Sequence, residues 1–302
     1  MLDTYKEEAQ FALNAVREAA KLCRQIQSEM VSQAITKLDQ SPVTVADFAS
    51  QALLGQLLMA QFPDEQLVAE EDSQTLKEDH GGEKLARVTG YIQRILPQAD
   101  GEQVCAWIDH GAGEAGGRFW TYDPTDGTKG ILRSDQYVTA LALIEDGRVV
   151  VGALGCPNLN RHMQPEFDGE GSVVLAVRGE GCFGFGMIDD DPMKLSVSTQ
   201  DQPQQARLLR SFESGHTDEG KMAELVSILG TTVDPVHMDS QAKYAVMAAG
   251  GGELLFRLLS PTQPEYEEKI WDQAAGSLVV EEAGGMVSDL RGDTLDFDQG
   301  RT

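Results

Sequence analysis

The residues with the clearest chemical capacity in this 302-residue chain lie in Phe119-Trp120-Thr121-Tyr122-Asp123-Pro124-Thr125-Asp126-Gly127-Thr128-Lys129-Gly130. An apolar, aromatic run reads as a strand, and it delivers Asp123 and Asp126 either side of a proline-containing turn. Two carboxylates so spaced can face one small volume. Two anions held there repel, and burying them is costly unless a cation compensates. Oxygen-only ligands suit hard cations such as Mg²⁺. The backbone amides of Gly127 and Thr128 follow directly and can donate to a phosphate. The local chemistry is that of a metal-dependent phosphate site. The competing reading is a surface turn, for which Asp, Pro, Gly and Thr are also the ordinary residues.

Further acidic residues stand at the same kind of junction. Glu70 and Glu71 end a short strand, Gln66 to Ala69. Asp47 falls in the first turn of a helix opened by Thr44-Val45-Ala46-Asp47. Asp272, in Lys269-Ile270-Trp271-Asp272-Gln273-Ala274-Ala275-Gly276, stands at another helix start. A carboxylate there gains from the helix dipole whether or not it does chemistry, so each is also explained as a cap or first-turn acid. Functional groups do collect at the ends of strands and the starts of helices.

The elements that must position them follow from periodicity. Thr4-Tyr5-Lys6-Glu7 fits a capping box, and Ala12, Ala15, Ala19, Leu22, Ile26 and Met30 recur behind it at helical spacing. A loop from Lys37 to Pro42 precedes the second helix, which runs to about Gln61. A helix is expected near 82–96, a strand at Val104–Ile108, and a mobile glycine-rich loop from Asp109 to Gly117. Two hairpins follow, Val138–Ile144 with Arg148–Leu154 and Ser172–Val177 with Cys182-Phe183. Lys194–Ser198 reads as another strand. Thereafter strands at 206–211, 233–238 and 253–258 alternate with helices at 218–229 and 240–249. The order is α+β in the first part and α/β in the second. The segment Thr199–Gln205, rich in Gln, Asp and Pro, is the expected boundary between an N-terminal unit, 1–203, and a C-terminal unit, 204–302.

Composition narrows the partners. With 41% hydrophobic and 24% charged residues, the chain can bury a large core. No apolar run approaches the ~20 residues that span a bilayer. A net charge of −25 repels nucleic acid and anionic membranes, so neither is expected as a partner, and local cations must draw in any phosphate. The polar, acidic N-terminus is neither a signal peptide nor an Arg-rich transit peptide. A cytoplasmic location is expected, with an organellar one open if a targeting segment was removed. The four cysteines, Cys23, Cys105, Cys156 and Cys182, form no Cys-x-x-Cys pair. Reduced thiols are expected, Cys23 on a core stripe, with redox control through the other three left open.

Taken together, Glu70-Glu71, Asp123-Pro124-Thr125-Asp126-Gly127-Thr128, Trp271-Asp272-Gln273-Ala274-Ala275-Gly276 and Glu281-Glu282-Ala283-Gly284-Gly285 resemble the signatures of the inositol monophosphatase superfamily. These are Mg²⁺-dependent, lithium-sensitive phosphatases with a layered αβαβα sandwich, the fold of the inositol monophosphatases and fructose-1,6-bisphosphatases. The resemblance runs from about Lys37 to Phe297. Within the superfamily the chain is most similar to the 3′(2′),5′-bisphosphate nucleotidases, through Thr128-Lys129-Gly130-Ile131-Leu132-Arg133, Ser240-Gln241-Ala242-Lys243-Tyr244, Arg257 and Tyr266-Glu267-Glu268-Lys269-Ile270-Trp271-Asp272. Thr125 stands where Ile is usual, and Gln273 where His is frequent.

The resemblance implies the following roles. One Mg²⁺ is held by Glu70, Asp123 and the Thr125 carbonyl, a second by Asp123, Asp126 and Asp272, and a third, weaker ion joins with substrate. Thr128 orients the attacking water and Asp47 accepts from Thr128. The amides of Gly127 and Thr128 bind the reacting phosphate. Ser240, Lys243 and Arg257 hold the second phosphate, and His216 contacts the adenine. The implied reaction is hydrolysis of the 3′-phosphate of adenosine 3′,5′-bisphosphate to AMP, with 3′-phosphoadenosine 5′-phosphosulfate as a second substrate, in sulfur-assimilation housekeeping. The rivals are an inositol polyphosphate or monophosphate phosphatase and a catalytically silent nucleotide sensor. The chain is expected as a monomer or homodimer.

Overall fold

The computed structural model describes residues 3–34, 41–78, 82–164, 170–212, 218–258 and 266–302; within 30–44 the description extends to helical backbone only. Helix α1 (Lys6–Ala34) buries the stripe Ala12, Ala15, Val16, Ala19 and Ile26. Its expected capping box does not form. The Thr4 hydroxyl and the amides of Asp3 and Thr4 all donate to Glu180 instead, an acceptor far away in sequence. Helix α2 (Ser41–Gln61) begins with Pro42 in its first turn, where a missing N–H costs nothing. It starts earlier than the sequence suggests, so Asp47 is an interior residue of α2 and not a first-turn acid. Of the expected Lys37–Pro42 loop, Lys37–Gln40 lie outside the described residues, and Ser41 and Pro42 are helical.

Strand β1 (Gln66–Ala69) is followed by three short helices, α3 (Gln74–Lys77), α4 (Glu83–Gln93) and α5 (Gly101–Asp109). The last corrects the strand expected at Val104–Ile108. A capping box between Asp100 and Gln103 starts a helix there, and Val104, Cys105 and Ile108 form its buried stripe. The glycine-rich segment that follows is bonded to β1: the Gly113 amide donates to the Leu67 carbonyl, and the Ala69 amide to Gly111. Strand β2 (Arg118–Asp126) and helix α6 (Thr128–Arg133) lead into the antiparallel run β3 (Val138–Glu145), β4 (Arg148–Cys156), β5 (Ser172–Val177), β6 (Gly181–Gly186) and β7 (Met193–Lys194). Both expected hairpins are present. β7 stops at Lys194, short of the expected Ser198. The second half contributes β8 (Leu208–Arg210), α7 (Glu219–Leu229), β9 (Val236–His237), α8 (Ala242–Ala248), β10 (Leu254–Leu255) and α9 (Ile270–Glu282). Its strands are shorter than periodicity suggests.

Strands β1 to β7 form one sheet in sequential order, with β1 and β2 parallel and the rest antiparallel. β8, β9 and β10 form a parallel three-stranded sheet with β8 central. Alternation along β3 shows how the layers stack. Leu141 and Leu143 join a core with α1, whereas Ala140, Ala142 and Ile144 join a core with α8 and α9. Because β3 and β4 are covered on both faces, they read as nearly unbroken apolar runs. Two glycines of β4 set the spacing. A Cβ at Gly152 would meet the Ala275 carbonyl of α9 at 2.8 Å, and one at Gly155 the Val16 carbonyl of α1 at 2.7 Å. Leu209 and Met238 bring the small sheet onto the α8/α9 layer, and α7 buries Met222 beside Leu209 and Leu255. The result is the layered αβαβα sandwich. All four cysteines are free and buried, with Cys23 in the core shared by α1 and α2. Among the described residues no helix is long and apolar enough to cross a membrane.

Candidate functional site

The parallel pairing of β1 and β2 brings two strand ends together. Ala69 lies opposite Tyr122, so Glu70 emerges from the end of β1 beside Asp123 of β2. Beyond Asp123 the register with β3 slips by one residue before Asp126. Pro124 sits inside that bulge, where it has no ladder amide to lose. The bulge re-aims the chain, and the Thr125 amide turns back to donate to Asp123 Oδ1 at 3.1 Å. Gly127 follows with φ of +92° and caps α6, and its Cα is packed against Ser240, whose Cβ would lie 2.9 Å from a Cβ at this position. This contact joins the starts of α6 and α8. Ser240 itself has φ of +67°, and its Oγ accepts from the Ala242 amide at 3.1 Å, which leaves the hydroxyl proton available to a ligand.

Asp126 is the hinge of the arrangement. Its Oδ2 accepts the Gln241 amide at 2.6 Å. The Gln241 side chain, buried, donates to the Trp271 carbonyl at 3.0 Å and accepts from the Gly276 amide at 3.0 Å. One residue therefore ties Asp126 to the helix that carries Asp272. Asp272 Oδ2 accepts the Lys269 amide at 3.0 Å, so it does cap α9. At the other strand end, Gln51 brackets the backbone of Glu71, whose amide donates to Gln51 Oε1 at 2.9 Å. Arg301 donates to the Ala69 carbonyl and lies over the Trp271 ring, with 4.9 Å from guanidinium carbon to ring centroid.

A cavity of about 270 Å³ opens at this junction. Its lining includes the carboxylates of Asp126 and Asp272, the turn residues Gly127, Thr128 and Ser240, and the cations Lys243 and Arg257. Asp123, Thr125 and Asp47 are buried beside it and do not line it, and Glu70 is exposed next to Asp123. The electrostatics are lopsided. Burial, then Glu70, Asp126, Asp272 and Asp47, push the Asp123 carboxyl well above its ordinary range. Burial, then Asp126, pushes Asp272 up to about 7. Asp47 is raised by burial, then by Glu71 and Glu70. Glu70 is raised by lost hydration in this concave setting, then by Glu71 and Asp126. Asp126 is raised by burial but relieved by Lys243, the Gln241 amide and Arg257. Lys243, buried, is lowered to about 8 by burial, against the pull of Asp126. Its Nζ donates to Ser211 Oγ at 3.0 Å.

The chain thus gathers more buried negative charge than its own cations compensate, with oxygen donors alone. That donor set fits a hard divalent cation. Among the described residues no three His, Cys, Asp or Glu side chains already converge at metal-holding distance. The expected Thr128–Asp47 hydrogen bond is not formed. The exposed Thr128 hydroxyl approaches the Thr125 carbonyl at 3.5 Å, and Asp47 faces Glu70 and Glu71. His216 lies outside the described residues.

A family model described as the inositol monophosphatase family matches residues 4–302. The chain belongs to the inositol monophosphatase family. Among its relatives, the 3′(2′),5′-bisphosphate nucleotidase of Schizosaccharomyces pombe is 40% identical over 319 residues, covering 99% of this chain and 89% of that protein. The enzyme of the same name from Oryza sativa is 39% identical over 317 residues, covering 98% and 87%. Among solved structures, an inositol monophosphatase from Anabaena is similar in fold, with a TM-score of 0.63 at 17% identity over 96% of this chain and 87% of that one.

Several residues of this family member's cavity were not assigned from sequence. Gln241 and Glu268 stood inside quoted motifs, yet their partners come from other elements and leave no local signal. Glu71, raised to about 7 by burial and then by Asp72, is a further carboxylate at the β1 end. Ser211 is fixed only when the small sheet meets Lys243 of α8, and Asp239 only when it meets the Phe212 amide and Arg133 of α6.

Proposed function

We propose that this protein is a Mg²⁺-dependent, lithium-sensitive phosphoric monoester hydrolase that removes the 3′-phosphate of adenosine 3′,5′-bisphosphate, yielding AMP and phosphate. 3′-Phosphoadenosine 5′-phosphosulfate is a second substrate of the same site. The observation that carries the reading is one cavity whose lining holds both carboxylates, Asp126 and Asp272, and cations, Lys243 and Arg257. A phosphomonoester with a second anionic group can use both, the carboxylates through bound cations and Lys243 and Arg257 directly. The names of relatives at 37–40% identity support the same substrate class.

Glu70, Asp123, the Thr125 carbonyl, Asp126 and Asp272 would hold two to three Mg²⁺ ions. Bound there, the ions supply electrostatic stabilisation of the reacting phosphate and a more acidic water. The chain's residues do the rest. The amides of Gly127 and Thr128 donate to the reacting phosphate, and the Thr128 hydroxyl orients the attacking water. Asp47 would be ionised once bound cations offset its carboxylate neighbours, and would then accept a proton passed on by Thr128. Lys243, Ser240 and Arg257 fix the non-reacting phosphate, which sets the line of attack at the other end of the nucleotide. Lithium inhibits by competing for a position meant for the divalent ion.

The direct test is product identity. Adenosine 3′,5′-bisphosphate should give 5′-AMP and inorganic phosphate, resolved by ion-exchange chromatography. Accumulation of 3′-AMP would mean the nucleotide binds in the opposite orientation, and binding without turnover would favour a silent sensor.

A further inference from the structure

Arg257 faces the cavity, yet it is not held by the cavity wall alone. Its Nε donates to Glu268 Oε1 at 2.9 Å and its Nη2 donates to the same oxygen. The other carboxylate oxygen of Glu268 accepts from Gln273 Nε2 at 3.1 Å. Gln273 Oε1 in turn meets the Tyr244 hydroxyl at 2.5 Å. The order of donors is forced. A carboxylate only accepts, so the amide must present its nitrogen to Glu268, and its oxygen then faces Tyr244, whose hydroxyl must donate. Tyr244 is buried, packed against α9, and gives the amide one orientation.

We propose that Gln273 is a positioning residue for binding of the non-reacting phosphate. It locks the Glu268 carboxylate in one rotamer, and Glu268 then turns the guanidinium of Arg257 so that its remaining N–H groups point to the anion. The inference rests on the reading of Arg257 given above. A neutral amide suits this place, because a residue without a donor leaves the outer oxygen of Glu268 unpaired in a half-buried site, and a second carboxylate repels it.

The test is a double-mutant cycle on the full chain with Mg²⁺, using Gln273→Met, Arg257→Ala and the pair, with KM and kcat measured for adenosine 3′,5′-bisphosphate. Loss of one hydrogen bond to a charged group predicts that Gln273→Met raises KM about fivefold or more while kcat stays within about twofold. In the Arg257→Ala background the same change should alter KM by less than about twofold. Gln273→Glu, which keeps length and the Tyr244 bond but removes the donor, should raise KM further than Gln273→Met. An equal KM effect of Gln273→Met with and without Arg257 overturns the proposal alone. An unaltered KM in Arg257→Ala overturns it together with the phosphate role of Arg257. If the Met variant melts early, the order of Glu variant against parent decides on its own: a parent-like KM overturns the proposal.

Discussion

Lys243 is a buried ammonium that donates to Ser211 and interacts electrostatically with Asp126. Burying it is costly, and Asp126 offsets only part of that cost. Such a group is kept where an anion binds. Lys243→Ala is therefore expected to weaken use of adenosine 3′,5′-bisphosphate by about 1.5–3 kcal/mol in kcat/KM, the worth of a hydrogen bond to a charged group. Use of a small monophosphate, which has no second phosphate to offer, should fall much less. Equal losses on both substrates would show that Lys243 does not read the second phosphate. At this scale much was legible in the chain. Asp123, Asp126, Gly127 and Thr128 are local neighbours, so one turn fixes their relation. The Thr128–Asp47 bond that the resemblance implies is not formed, because that relation depends on how α2 sits against the β2 turn.

Elements carry these residues to each other, and their contacts can be tested separately. A Cβ at Gly276 of α9 would lie 2.3 Å from a ring carbon of Tyr244 on α8. Gly276→Ala must force the helices apart, which predicts about 1–3 kcal/mol lost in stability, and kcat/KM falling with it because α8 carries Lys243 and α9 carries Asp272. A parent-like melting temperature and activity would refute that close packing. Glu29 of α1 accepts from Arg94 at 2.7 Å and from Tyr91 at 3.1 Å, both near the end of α4. Hydrogen bonds from Arg94 first, then Gln25, hold the Glu29 carboxyl down at about 2, below its ordinary 4.5. A depressed carboxyl stabilises fully above pH 4.5 and loses that contribution as pH falls toward 2. Both partners are well exposed, so Glu29→Gln should cost under about 1 kcal/mol at pH 7, by urea melts, with the gap closing between pH 4.5 and 2. A gap that widens with acid would contradict the pairing. Elements were less legible than residues. Val104–Ile108 has an apolar run as short as a strand, and only the Asp100/Gln103 box reveals α5. Thr4 looked like a cap because its acceptor partner, Glu180, is remote in sequence.

Across the whole molecule, the layers were inferred from motif resemblance more than from periodicity, since β8, β9 and β10 are only two or three residues long. We propose that the chain divides near residue 203, at the turn Pro203–Gln205 between the two sheets. The two parts share a core: α9 buries Ala274, Ala275 and Leu278 with Ala140, Ala142 and Leu154 of the large sheet. A fragment 204–302 should therefore show no cooperative thermal transition alone and gain one on mixing with 1–203; an autonomous transition would contradict the shared core. The same division spreads the candidate metal set, with Glu70, Asp123 and Asp126 on one part and Asp272 on the other, so folding of both precedes catalysis. We propose that this assembled cavity hydrolyses a nucleotide bisphosphate with divalent metal. It is tested most directly by phosphate release from adenosine 3′,5′-bisphosphate and inositol 1-phosphate at equal concentrations, with Mg²⁺, with and without Li⁺. Strong, Li⁺-sensitive preference for the nucleotide is expected, whereas preference for the inositol phosphate, or turnover that survives removal of Mg²⁺, would contradict that assignment.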